Sequence, residues 1–408
     1  MSGKSASVIR AALGAAAVAA IATLGVEMGC GALGSGKGFV SVRGGKVAAL
    51  EIAIEGAEDG ICPGSVHQLV ITVTTTRGQK ITSWRKGEDG AEPETAGHLD
   101  YSDFKAKTSG GKIDPTGRFL VHPDALVAAV TGYKIAIAVA DTGTPVAELS
   151  FPTRLDCAKS ADLRGAVGAA GAAGKEVQGD ASVPEAEAPA PDLASGFAAP
   201  MAIDISANGL PGEDGGFGGS AGEAEVASTI VSTPFHAAAV LVRVTPKGGA
   251  PRHFLADPAS PDGFTIDCRG GDGGAGGGGG AGGMAGNGGP GGGGGDGGDG
   301  AAIRGYFDAG QLMLQSYMKY AYQGGAPGAP GRGGAPGERD AEGRPMLPGR
   351  DGSAGQPGQD GPLPDVRPEG GVNLFPDLPE GVYVLPAPWA PGQSAPASAP
   401  AVPPAQAP

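Results

Sequence analysis

Apolar side chains alternate with polar ones across residues 37 to 157, as in Leu50, Ile52 and Ile54, then Leu69, Ile71 and Val73, then Ile135, Ile137 and Val139. Thr and charged residues fill the places between, and this period of two predicts half-buried antiparallel strands. Arg77-Gly78 lies between TVTTT and QKITS and predicts a hairpin turn. Phe119-Leu120-Val121 and Val146 to Phe151 add short strands. About seven strands in about 120 residues can enclose a core, so the spacing predicts a β-sandwich that resembles immunoglobulin-like modules in outline.

The alternation stops after Cys157. Residues 158 to 204 turn to Ala, Gly, Pro and Glu, including GAVGAAGAAG and PEAEAPAP, and read as a linker. Between Glu225 and Cys268 the stretches VASTIVS, AAVLVRVTP and GFTIDC predict three strands that cap the glycine-rich region. Leu312, Leu314, Tyr320 and Tyr322 fit strand and helix periods equally, which leaves 301 to 323 unassigned. Residues 373 to 389 hold enough apolar side chains to pack back onto the glycine bundle, and the Ala/Pro tail 391 to 408 is expected to be disordered.

Glycine supplies a second pattern. From Gly270 to Gly300 the chain reads Gly-Gly-X, with X running Asp272, Ala275, Gly278, Ala281, Met284, Asn287, Pro290, Gly293, Asp296 and Asp299. From Gly325 to Gly361 every third residue is Gly except Asp340 and Met346. Period three is the repeat of polyproline II, or polyglycine II when glycine fills it, and such a helix makes no internal hydrogen bonds. Its N–H and C=O groups need partners, which neighbouring helices supply only where nothing larger than hydrogen lies between. Gly-Gly-X then covers two faces and Gly-X-Y one, so the second stretch is expected to form an outer layer. The defects at Met284-Ala285 and DAEGRPMLP, with a short tract at Gly209, Gly212, Gly215 and Gly218, divide the chain into five pieces near 209–219, 270–283, 286–300, 325–338 and 349–361.

Two other outcomes compete. A collagen triple helix is opposed by a single proline, Pro290, between 270 and 300 and by the two interrupted triplets later. A flexible tract is favoured by cost, since ordering takes about 1–2 kcal/mol per residue and a hydrogen bond returns about 0.5–1.5 kcal/mol net. Phase argues for packing, because a linker has no reason to keep two of three positions nearly all glycine.

With short β-like segments on its flanks, the Gly-Gly-X tract resembles the polyglycine II sandwiches of phage tail-fibre adhesins and glycine-rich antifreeze proteins. The whole layout is similar to glycine-rich, collagen-like surface lipoproteins of Gram-negative bacteria. This likeness covers about 205 to 361 and carries no binding residue across. The fold expected is mainly β, an N-terminal immunoglobulin-like β-sandwich plus a C-terminal polyglycine II helix bundle over 205 to 390, capped by short strands.

Residues 1 to 29 carry Lys4, Arg10 and the apolar run AALGAAAVAAIATLGV, the layout of a signal peptide. Gly29-Cys30 resembles the processing site of a bacterial lipoprotein, which implies a lipid on Cys30. Glu27 and Met28 depart from the usual Leu and small residue. Gly31 after the cysteine implies the outer membrane by the same resemblance. Ordinary cleavage with full secretion is the alternative, while an uncleaved span is opposed by an apolar run of about 16 residues against the roughly 20 needed. Export turns the remaining cysteines into potential disulfide partners, and Cys62 and Cys157, which bracket the strand-rich region, are expected to pair. Cys268 is left as a buried thiol or, alternatively, a crosslink to another chain.

Charge narrows the partners. With 29 Lys and Arg against 43 Asp and Glu the net is -14, which argues against nucleic acid and leaves a lipid anchor as the route to a membrane. Gly31, Gly36 and Lys37 approach a phosphate loop, but Gly38 stands where Ser or Thr must hold magnesium. GGDGGDGA at 294 to 301 approaches a calcium nonapeptide through Asp299, but Ala301 replaces the large apolar residue, and Asp272, Asp296 and Asp299 read as solvated side chains. His67, His98, His122, His236 and His253 lack metal-ligand spacing, and Trp84 and Trp389 read as packing residues. No catalytic residue, metal or cofactor is expected. The function expected is a non-enzymatic surface lipoprotein with a spacer or adhesive role, meeting a protein or glycan partner, with the bundle formed inside one chain. The alternatives are an ice- or glycan-binding protein using a flat Gly-X face, and a hydrolase opposed by the missing nucleophile set.

Overall fold

A computed structural model describes residues 38–44, 47–57, 59–83, 97–176, 208–339 and 343–386, and the chain is mainly β. The first region holds β1 (Val47–Ile54), β2 (Val66–Thr75), β3 (Lys80–Thr82), β4 (Phe104–Ser109), β5 (Gly111–Ile113), β6 (Arg118–Val121), β7 (Tyr133–Val139) and β8 (Val146–Phe151). One antiparallel sheet runs β1-β2-β6-β5 with β3 beside β2, and a second runs β4-β7-β8. The alternating residues face inward as expected: Leu69, Ile71, Val73, Ile135 and Ile137 share one buried core with Phe119 and Tyr133. The hairpin between β2 and β3 turns at Gly78, whose φ of 80° suits glycine. Cys62 and Cys157 form a disulfide that ties the loop after β1 to the residues after β8, 95 positions apart.

The second region continues with β9 (Ser160–Asp162), β10 (Ala224–Ser232), β11 (Ala239–Pro246), β12 (Arg252–Ala256), β13 (Phe264–Asp267) and β14 (Ile303–Asp308). It closes with β15 (Met318–Ala321), β16 (Asp365–Glu369) and β17 (Tyr383–Val384). Strands β15, β13 and β9 form a parallel sheet. A second sheet runs β12-β11-β10-β14-β16, parallel from β10 to β16 and antiparallel from β12 to β10, with β17 on β10. Val226, Ile230, Phe264, Ile266 and Leu314 are buried in the core that both sheets share. The two periods over 301 to 323 are each right in part, because α1 (Met313–Tyr317) buries Leu314 and leads directly into β15. Residues 373–386 do pack back through Leu374, Phe375 and Val382, but onto the sheets and the first region, where apolar partners stand, and not onto the glycine segments as expected.

Six extended glycine-rich segments prolong these two sheets. Residues 164–175, 269–282 and 323–337, segments 1, 3 and 5, follow β9, β13 and β15. Residues 208–222, 286–300 and 347–361, segments 2, 4 and 6, lead into β10, β14 and β16. Each odd strand thus feeds a segment, the chain reverses, and the next segment returns to an even strand. Three such loops stand side by side in two layers.

The hydrogen bonds give the rule of assembly. In segment 3 the first glycine of each triplet donates forward within its layer, as Gly273 to Ala326 O at 2.8 Å. The second donates to the preceding segment in the other layer, as Gly274 to Gly216 O at 2.8 Å. The third residue turns outward and accepts from the segment two back, as Asp272 O from Gly168 N at 2.8 Å. A Cβ on Gly273 or Gly274 would run into a neighbouring carbonyl, whereas one on Gly278, in the outward phase, meets only Arg332 O at 3.7 Å.

Several expectations change. The 158 to 204 stretch is not a linker throughout: Ser160–Asp162 is a strand and Gly165, Gly168, Gly171 and Gly174 donate to segment 3. Among the described residues the array therefore has six segments instead of five. The stretch from 325 is not an outer layer but one edge of both layers, because segment 5 lies beside segment 3 and segment 6 beside segment 4. Glycine content follows neighbour number all the same. Segments 3 and 4 touch four others and carry two glycines per triplet, while segments 1 and 6 touch two and carry one. The expected tail 391–408 and signal 1–29 lie outside the described residues.

Candidate functional site

With the backbone turned inward, the outward third positions are what the glycine segments offer to another molecule. The face of segments 1, 3 and 5 is made of small residues at its centre. Ala170, Ala275 and Ala329 form one row, and in the next Ala173 and Gly278 stand beside the large Arg332. The opposite face is polar. Its rows include Asn208, Asn287 and Leu347 at the tip, and Phe217, Asp296 and Gln356 nearer the sheets.

Carboxylates and amides on these faces have a structural task that the sequence reading missed. Asp272 Oδ1 accepts from Ala326 N at 2.8 Å, Asp296 Oδ1 from Gln356 N at 2.7 Å, and Asp299 Oδ1 from Gln359 N at 2.8 Å. Asn208, Asp214 and Asn287 do the same for Asn287, Gly293 and Leu347. These residues are therefore not merely solvated. A side chain reaches across to an outward N–H that no neighbouring carbonyl can meet, which satisfies it without a further layer. The signal in the sequence is Asp or Asn recurring in the X phase.

Where the odd segments leave their sheet, the outer face dips into a cavity of about 430 Å³ lined by Asp162, Arg164, Arg269, Asp272 and Gln323. Asp-X-Arg occurs twice here, and each arginine folds back on its own aspartate: Arg164 Nη2 to Asp162 Oδ2 at 2.8 Å, Arg269 Nη2 to Asp267 Oδ2 at 2.7 Å. The hydrogen bonds from Arg164 and Arg269 hold Asp162 and Asp267 below the usual carboxylate range. Both arginines are thus engaged by local partners.

The individually singled-out residues fall in separate places. Cys268 is a free thiol, fully buried in the core between the two sheets, and burial pushes its pKa up to about 11. Cys30, Lys37, Trp84 and Trp389 lie outside the described residues. His67 pairs with Ser65 Oγ at 2.7 Å, and His98 contacts Thr82 O at 3.2 Å. His122 Nδ1 accepts from Asp124 N at 3.1 Å.

His236 and His253 join the two regions, which sequence spacing gave no means of foreseeing. His236 Nε2 donates to Thr153 O at 2.7 Å, and His253 Nδ1 lies 2.9 Å from Asp124 Oδ2. Asp124 Oδ1 also caps the turn of 3-10 helix at Ala125–Ala128 by accepting from Leu126 N. Burial alone would raise the Asp124 carboxyl, but hydrogen bonds from His253 and Leu126 outweigh it and hold the group below its ordinary value. Around them Ala125, Ala129, Val231, Leu241, Leu255 and Phe375 form a shared apolar contact.

Among the described residues no cluster of His, Cys, Asp and Glu has metal-binding geometry, and no helix is long and apolar enough to cross a membrane. Comparison with known protein families, curated proteins and solved structures finds no match to this chain.

Proposed function

We propose that this protein is a non-enzymatic surface lipoprotein, anchored in the outer membrane through Cys30, in which an immunoglobulin-like β-sandwich carries a polyglycine II bundle that acts as spacer or adhesive platform. The observation that carries the reading is the two-layer array in which glycine N–H groups bond to neighbouring segments every third residue, as in Gly274 to Gly216 and Gly295 to Gly274. An array with its backbone consumed inside and side chains only outside has two broad faces and a tip to present, and little interior in which to do chemistry. The Cys62–Cys157 disulfide supports an exported location, since such bonds persist in oxidising compartments. The partner would be a protein or glycan surface. Expression in a Gram-negative host with radiolabelled palmitate tests the anchor: label on the wild type and none on Cys30→Ala is expected, and label-free wild type in the medium would reject it. Adhesion of cells displaying the chain, with and without residues 208–361, tests the role.

A second reading has one observation in its favour. The row of Ala170, Ala275 and Ala329, with Ala173 and Gly278 beside it, makes a strip of small side chains at regular spacing, as recognition of ice or of a flat glycan would require. Thermal hysteresis separates the two: activity abolished by Ala275→Tyr would select ice binding, and none in the wild type would remove it.

A further inference from the structure

The six-segment array ends differently at its two edges. At the edge formed by segments 5 and 6, the triplet position whose N–H would reach a further segment is Pro327, Pro330 and Pro336 in segment 5; in segment 6 it is Pro348 and Pro357, with Asp351, Ala354 and Asp360 between and beyond them donating to no described residue. Proline has no N–H to leave unpaired. The two glycines at that position in segment 5 are also closed off: Gly324 N donates to Asp360 Oδ1 at 2.9 Å and Gly333 N to Asp351 Oδ1 at 2.8 Å.

The edge formed by segments 1 and 2 has neither proline nor a side-chain cap at the matching positions. In segments 2 to 6 the second residue of the triplet donates its N–H to the preceding segment, as Gly219 does to Ala166 O. The matching residues of segment 1, Ala166, Ala169 and Ala172, are exposed and their N–H groups have no partner among the described residues. On segment 2 the outward carbonyls of Asp214 and Phe217, whose counterparts on segments 3 and 4 accept a hydrogen bond, accept none from the described residues.

Space accompanies the free groups. A Cβ at the second triplet position points toward the segment two back, as one on Gly292 would meet Glu213 of segment 2. On segment 2 no segment two back stands in that direction among the described residues, and such a Cβ would meet only segment 1. Leu210 and Glu213 carry side chains there near the tip, whereas Gly216 and Gly219 carry none beside Ala169 and Ala166. A Cβ on Gly216 would stand 3.0 Å from Ala169 N and one on Gly219 2.9 Å from Ala166 N, a fit that segment 1 makes close but that Leu210 and Glu213 occupy with side chains at the same phase. The open stretch runs from Glu213 toward the turn between β11 and β12, where Lys247 N donates to Glu223 O at 2.9 Å.

We propose that this edge binds one further extended polypeptide, a run with glycine at every third residue, in the place a preceding segment would hold. Its carbonyls would accept from Ala166 and Ala169, and its glycine N–H groups would donate to Asp214 and Phe217. Only the residue facing segment 1 must be glycine, since segment 1 itself, at a corner of the array, is built with one glycine per triplet. A second copy of this chain is a poor source, because the six described segments with this period are all engaged in their own array. The occupant is therefore a collagen-like single strand of another protein. This inference rests on the hydrogen-bond pattern and is independent of whether Cys30 carries a lipid.

The test titrates the full chain against a fluorescein-labelled (Gly-Ala-Pro)4 peptide and a scrambled peptide of the same composition. Saturable binding of the periodic peptide is expected, with at least tenfold weaker binding of the scrambled one. Amide exchange of Ala166 and Ala169 should slow on binding. Gly219→Leu, which fills the slot, should weaken binding at least tenfold while the amides of Gly274 and Gly295 keep their protection. Absence of binding, equal affinity for the scrambled peptide, or unchanged exchange at Ala166 and Ala169 would each overturn the proposal, as would self-association of the chain alone that protects those two amides.

Discussion

The two regions of this chain solve the same problem with opposite materials. In the first, Leu69, Ile71, Val73, Phe119 and Ile135 are at most 1% exposed, and the strands are held by apolar side chains removed from water. In the glycine segments the interior contains no side chains, and contact is made by backbone against backbone with hydrogen bonds in three directions. The first kind of core tolerates a change of shape at moderate cost, because a cavity or a rotamer can absorb it. The second has nothing to rearrange. What makes it hold is its foundation: each segment continues a strand of a sheet whose core buries Phe264, Ile266 and Ile230, so register and spacing are already set at one end.

The largest expected effect breaks that contrast at one triplet. Gly274→Val should cost at least about 3 kcal/mol, since a side chain there forces segments apart and strips several hydrogen bonds worth about 0.5–1.5 kcal/mol each. Ala275→Val, the next residue but outward, should stay within about 0.5 kcal/mol. Thermal unfolding with amide exchange of the flanking glycines checks both, and similar costs at the two positions would refute the backbone-packing account.

Next comes the disulfide. Replacing Cys62 and Cys157 by Ser opens a loop of 95 residues and should destabilise the first region by about 2–5 kcal/mol. Protection of Gly274 and Gly295 should survive, because no element of the array depends on that bond. Parallel loss of both would mean that the regions unfold as one unit.

How much of this could be read in advance depends on how local each signal is. Period two at Leu69-Ile71-Val73 and period three at Gly270 to Gly300 are written in consecutive residues, and the turn at Met284-Ala285 shows as a break in phase. Segment 1 escaped because one glycine per triplet among alanines has the composition of a linker. Its phase, Gly165, Gly168, Gly171 and Gly174, and the Asp-Leu-Arg-Gly before it, matched by Asp-Cys-Arg-Gly before segment 3, would have revealed it. The two-layer order, the Asp and Asn bridges, and the His253–Asp124 contact lie between residues tens of positions apart. No local pattern encodes them.

The contact between the regions offers a third test, through pH. Burial lowers the pKa of His236 in the folded chain, so the unfolded chain binds its proton more tightly. Its stabilising contribution is present above the unfolded value near 6.5 and is lost as pH falls from there toward the lower folded value. Asp124, held low by His253 and Leu126 despite burial, adds a further loss only below its unfolded value near 3.8. Between pH 7 and 5 the denaturant midpoint of the wild type should therefore decline slightly, by under about 1 kcal/mol given partial exposure. His236→Phe should flatten that slope while leaving the glycine amides unaffected.

The smallest effect sharpens the comparison at the tip of the array. Segments 3 and 4 are joined by a turn in which Gly286 N donates to Gly283 O at 2.9 Å and Ala285 takes φ 59°. A left-handed Ala costs about 1–2 kcal/mol relative to its ordinary conformation, and glycine removes that cost while adding roughly 0.5–1 kcal/mol of unfolded-state entropy. Ala285→Gly should therefore stabilise the chain by about 0.5 kcal/mol, the reverse of what glycine does in the strands of the first region. Yet the wild type keeps alanine here, between long runs where glycine is otherwise the rule. A turn that resists opening is not what the array needs from this residue, because its register is set from the sheets at the other end. If Ala285→Gly instead lowers the melting temperature, the turn does fix the register of segments 3 and 4, and the sheets are not their only foundation.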